Sequence, residues 1–146
     1  MARPLDPRWL DLLDRLAPRV LGADDRRGRP LAAAVRRLSE LYTRDRDLLE
    51  EAGAALAARL RFFLPRDLPK IQGPLAELSA AGVLPAGPVW RVLDAGAGLG
   101  ATTLGAAELA GRVGVERLEV TALERDAASL DVFTQITRQA AEDGLV

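Results

Sequence analysis

Residues 89–100 read Val-Trp-Arg-Val-Leu-Asp-Ala-Gly-Ala-Gly-Leu-Gly, an apolar stretch that runs directly into a turn with glycine at every second position. Val89, Val92 and Leu93 favour extended backbone. Gly96 and Gly98 lack the Cβ that forbids a sharp left-handed turn, so backbone here can come close to a bulky partner. The small residues from Ala101 to Ala110 predict a helix straight after the turn. Further on, Leu118-Glu119-Val120-Thr121-Ala122-Leu123-Glu124 predicts a second buried strand that ends in a carboxylate. Strand, glycine turn, helix, strand and acid in this order describe a parallel sheet that binds a nucleoside at the carboxyl ends of its strands. From Gly98 to Glu124 is 26 residues, somewhat longer than the usual spacing of about 20. A long first helix and a loop around Gly111 and Gly114 take up the difference.

Asp94 narrows the ligand. A dinucleotide site binds phosphates with backbone N–H groups and a positive helix N-terminus, and a carboxylate two positions before the first glycine would repel them. S-adenosylmethionine has no phosphate and carries a sulfonium and an amino group, so Asp94 suits it better. Glu124 is placed to accept both ribose hydroxyls. Two other readings stay open. Gly96-x-Gly98-x-x-Ala101 also fits the looser nicotinamide or flavin fingerprint, and glycines can serve close helix–sheet packing alone.

Residues 92–100 together with Val120-Thr121-Ala122-Leu123-Glu124-Arg125-Asp126 resemble motif I and the following acidic motif of Rossmann-like S-adenosylmethionine-dependent methyltransferases, a likeness covering residues 89 to about 141. Upstream, Leu56-Ala57-Ala58-Arg59-Leu60-Arg61-Phe62-Phe63-Leu64-Pro65 and Leu75-Ala76-Glu77-Leu78 are similar to the mitochondrial-type ribosomal small-subunit methyltransferase-like family. The resemblance implies S-adenosyl-L-methionine as cofactor, with Asp94, Gly96, Ala97, Gly98 and Gly100 at its methionine side and Glu124 at its ribose. It also implies ribosomal RNA or the small ribosomal subunit as partner. The family's later part has cysteines that can hold an iron–sulfur cluster, and this chain has no cysteine.

The expected fold class is α/β: a helical amino-terminal domain, residues 1–66, then the first β-α-β-α unit of a Rossmann-like methyltransferase sheet, residues 67–146. Such a sheet needs about seven strands, and only one more helix, Asp126 to Ala141, follows Glu124. The 146 residues are therefore expected to be the amino-terminal part of a longer enzyme, silent alone and with an open strand edge. A non-catalytic binding or assembly module is the third function class.

Composition excludes several chemistries. Zero cysteines and zero histidines remove disulfides, thiolates, imidazole bases and the usual zinc sets. No uncharged run nears the ~20 residues of a membrane span and the first residues lack a signal peptide's apolar core, so no membrane partner and a cytoplasmic location are expected. Charge is uneven: the amino-terminal half is net basic and the other half net acidic. Arg26, Arg27, Arg29, Arg36, Arg37, Arg44, Arg46, Arg59, Arg61, Arg66 and Lys70 are candidate contacts to an RNA backbone, although acids interleave with them as on any solvated helical surface.

Four helices are expected before the glycine strand. Asp6 caps the first, Trp9, Leu10, Leu13 and Leu16 form its stripe, and Pro18 closes it. The second starts at Pro30 with Leu31, Val35, Leu38 and Tyr42 on one face. The third runs from a Thr43 cap to Pro65 with Leu48, Leu49, Ala52, Leu56, Leu60 and Phe63 inward. The fourth spans Asp67 to Gly82, with Ile71, Leu75 and Leu78 inward and Gly82 as its C-cap. Trp90 is expected to be core or interface packing.

Overall fold

The computed structural model describes residues 4–44 and 52–146. The fold is mixed α/β and mostly helical, with two parallel strands in one sheet. Helix α1, Pro7–Leu21, is capped by the Asp6 carboxylate, which accepts the Arg8 N–H at 3.0 Å. Pro18 does not close it. The stripe of Trp9, Leu12, Leu13, Leu16 and Ala17 continues to buried Leu21, and this packing carries the helix past the proline to Gly22. Leu10 lies off that stripe and is exposed, and Leu12 takes the inward position.

Helix α2, Gly28–Arg44, includes Thr43, so Thr43 is no N-cap; its hydroxyl donates back to the Ser39 and Glu40 carbonyls. The expected positions Leu48 and Leu49, together with Arg46, lie outside the described residues. Helix α3, Ala52–Ala58, leads into a widened π turn, Arg59–Phe63, and then the short α4, Leu64–Asp67. Pro65 therefore does not stop the helical path. The chain changes pitch one turn ahead of it, where the Leu64 N–H reaches back five residues to the Arg59 carbonyl. A 3-10 turn, Leu68–Ile71, and α5, Gln72–Ala80, follow. Gly82, with φ +69, ends α5, and Val83 N–H returns to the Leu78 carbonyl. Leu78 is exposed instead of inward, and buried Gln72 stands nearer the core.

Strand β1, Val89–Ala95, pairs in parallel with β2, Arg117–Leu123, in the register Val89↔Arg117 to Ala95↔Leu123. Helix α6, Ala101–Arg112, joins them, and α7, Ala127–Glu142, follows β2 under an Asp126 cap. Trp90 and Asp94 face α6 and are buried. The opposite face carries Leu93, 65% exposed, and an Arg91–Glu119 pair, and is open among the described residues. Parallel strands are usually covered on both faces.

One cluster of buried side chains runs through both halves of the chain, from Trp9, Leu12, Leu16, Leu60 and Leu68 to Leu99, Leu104, Phe133 and Ile136. A Cβ on Gly105 would overlap the Leu68 carbonyl, so glycine lets α6 press against the 3-10 turn. Glu108 ties α6 to α1 and α5 by accepting from Trp9 Nε1 at 3.3 Å and Gln72 Nε2 at 3.1 Å, and it also accepts from Arg112 Nη1 of its own helix at 2.9 Å. Among the described residues no helix is long and apolar enough to cross a membrane.

Candidate functional site

The ends of β1 and β2 open into a cavity of about 310 Å³, at the small end of the range for ligand sites. Its floor is the turn Gly96, Ala97, Gly98 and Leu99, with Ala101 of α6 and Glu124 just past β2. Its roof comes from the helical region: Tyr42, Arg59, Phe63, Leu64 and Asp67. Gly96 and Gly98 have φ of +77 and +55, and a Cβ on either would meet nothing within 4 Å. The backbone there is bent into a form only glycine adopts easily, and the space above it is free.

Glu124 braces the turn. Its Oε2 accepts the Gly98 N–H at 2.8 Å and its Oε1 the Asp126 N–H at 3.0 Å. Burial disfavours its charge, but the N–H groups of Asp126, Gly98 and Arg125, with the Arg59 charge, outweigh that and hold the carboxyl below its ordinary range. Three further N–H groups of this segment are also engaged. Gly96 and Ala97 both donate to the Leu123 carbonyl, at 2.7 and 3.0 Å, and Gly100 donates to Ala97 at 2.8 Å.

Asp94 and Gly100 do not line the cavity. The Asp94 carboxylate is buried and accepts the Thr103 hydroxyl at 2.7 Å, which fixes the first turn of α6 behind the glycines. Gly100, with φ +82, sits where a Cβ would overlap the Phe133 ring, so helix packing demands glycine there. Gly96, Ala97, Gly98 and Glu124 are the expected residues that the fold brings around one space.

The roof was not legible as a site. Tyr42 and Phe63 read as helix-stripe residues and Arg59 as one of many surface arginines, because their convergence depends on the α2–α3 packing and the π turn. Tyr42 meets Phe63 edge-on with ring centres 6.2 Å apart, and the Arg66 guanidinium lies 4.6 Å from the Phe63 centroid. Four of the basic residues expected to contact RNA are committed within the fold: Arg61 to Asp14 and Asp25, Arg27 to Asp14, Arg66 and Lys70 to Asp67. Arg26, Arg29 and Arg36 are exposed.

No family model matches this chain, and neither a curated protein nor a solved structure does.

Proposed function

We propose that the chain binds S-adenosylmethionine in this cavity, as the opening β-α-β-α unit of a Rossmann-like methyltransferase that acts on small-subunit ribosomal RNA or on an assembly intermediate. The observation that carries the cofactor reading is the Gly98 N–H held by the Glu124 carboxylate. A pyrophosphate needs those turn N–H groups. Here those of Gly96, Ala97, Gly98 and Gly100 are engaged by the Leu123 and Ala97 carbonyls and a negative charge, which disfavours the nicotinamide and flavin reading. A phosphate-free nucleoside has no such conflict.

In this reading Gly96 and Gly98 give the ligand backbone-close access, and the Glu124 carboxylate keeps acceptor capacity for a ribose hydroxyl. Asp94 acts at one remove by fixing α6 through Thr103. Bound S-adenosylmethionine supplies an electrophilic methyl group. The RNA acceptor rests on the resemblance in sequence and on the exposed Arg26, Arg29 and Arg36, which suit phosphates. Calorimetric titration with S-adenosylmethionine, its demethylated product and NAD tests the cofactor. We expect either of the first two to bind more tightly than NAD, and tighter binding of NAD overturns the proposal.

A further inference from the structure

One guanidinium reaches the cavity with its hydrogen bonding unfinished. Arg59 opens the π turn and lines the space above Gly96, Gly98 and Glu124. Its side chain is 19% exposed. Nη1 donates to Ser129 Oγ at 3.2 Å and stands 3.6 Å from Asp126 Oδ2, too far for a hydrogen bond. Nε is buried with no acceptor among the described residues. Asp126 does not fill that need: its carboxylate caps α7 through the Ala128 N–H at 3.1 Å and the Ser129 hydroxyl at 2.6 Å, and it makes no hydrogen bond to Nε. Buried polar groups, charged ones above all, are almost always satisfied, so a guanidinium that is under-bonded inside the fold and belongs to a residue lining the cavity has donor capacity for an acceptor from outside the chain.

We propose that Arg59 binds the carboxylate of an α-amino-acid group carried by the ligand, an assignment that rests on the nucleoside reading and gives the ligand its orientation. A planar carboxylate matches the guanidinium fork with two parallel bonds. A phosphate is a poorer match to the surroundings, since Glu124 and Asp67 line the same cavity and oppose added negative charge. A zwitterion brings its own ammonium to offset them. The ribose then lies toward Glu124 and the amino-acid end toward the helical roof, so residues from both halves of the chain hold one ligand.

The test compares two nucleosides that differ in this end, S-adenosylhomocysteine and 5′-methylthioadenosine, by calorimetry on the full chain and on Arg59→Met and Arg59→Lys. Arg59→Met should weaken S-adenosylhomocysteine by roughly ten- to a hundredfold, the worth of a charge-assisted hydrogen bond, and leave 5′-methylthioadenosine within about twofold. Retained binding of the second nucleoside also shows that the variant is folded. Arg59→Lys should fall between, since it keeps charge and loses the fork. Equal losses for both ligands, or none for either, overturn the role of Arg59 and leave the nucleoside reading standing. If the unmodified protein binds neither nucleoside, the nucleoside reading falls and takes this assignment with it.

Discussion

The two ends of the glycine segment have similar spacing and opposite surroundings. Gly96 and Gly98 look into free space, and a side chain at either would meet no atom of the protein. Gly100 and Gly105 look into packed matter: the Phe133 ring for one, the Leu68 carbonyl and Ile71 for the other. Glycine is demanded at the first pair by backbone bend and at Gly105 by contact, while Gly100 has both causes. A pattern that reads as one ligand motif is therefore a cavity-facing half joined to a packing half, and the two should fail differently when changed.

Gly100→Ala should be the most damaging of these changes. Left-handed backbone costs an ordinary residue roughly 1–2 kcal/mol, and overpacking typically costs about 1–3 kcal/mol more. Urea unfolding should show a loss of several kcal/mol, and adding Phe133→Leu should recover part of it if the ring is the obstacle. Gly105→Ala has no backbone strain and gains about 1 kcal/mol of helix propensity. Its clash is with a backbone carbonyl that cannot swing aside, so a net loss of about 1–2 kcal/mol is expected.

Gly98→Ala reverses the balance. Its stability loss should stay near the roughly 1–2 kcal/mol of backbone strain, while S-adenosylmethionine affinity falls by tenfold or more because the new methyl occupies the space above the turn. Paired unfolding and binding measurements separate the two. If Gly98→Ala unfolds as readily as Gly100→Ala and binds normally, the division between cavity-facing and packing glycines is wrong.

The same contrast explains what the sequence makes visible. The path from Val89 to Glu124 is dictated locally, by β-branched residues, glycines at positive φ and a carboxylate at a strand end, and the elements lie where those features put them. But β2 is not the buried strand expected, because its outer face is uncovered among the described residues and Val120 and Leu123 are exposed. The helical half is dictated by packing. Pro18 and Pro65 are absorbed because neighbouring residues on the same path, such as Leu21 and Leu64, are buried, and Leu10 and Leu78 face outward although they fit a helical period. The cavity divides along the same line. Gly96, Ala97, Gly98 and Glu124 are found from spacing, whereas Tyr42, Arg59 and Asp67 reach it through contacts between distant segments, for which a single sequence holds no signal.

The smallest effect tests the brace between the halves of the turn. Glu124→Gln leaves one oxygen to accept either the Gly98 or the Asp126 N–H and points an amide donor at the other. The partly exposed position limits the loss at neutral pH to about 1 kcal/mol or less. Its pH dependence is more telling than its size. The Glu124 carboxyl is held below its ordinary range in the folded chain, so its charge contributes stability above the unfolded value of about 4.3, and that contribution is lost as pH falls through the lower folded value. Asp25, Asp67 and Asp126 are depressed as well, so acid weakens both proteins. The difference between them isolates Glu124. Unfolding free energies of the wild type and Glu124→Gln, measured downward from pH 7, should begin to converge near the unfolded value and meet as pH falls through the lowered folded value. A gap that stays constant across that range would mean that the carboxylate holds the turn by shape alone, with no contribution from its charge.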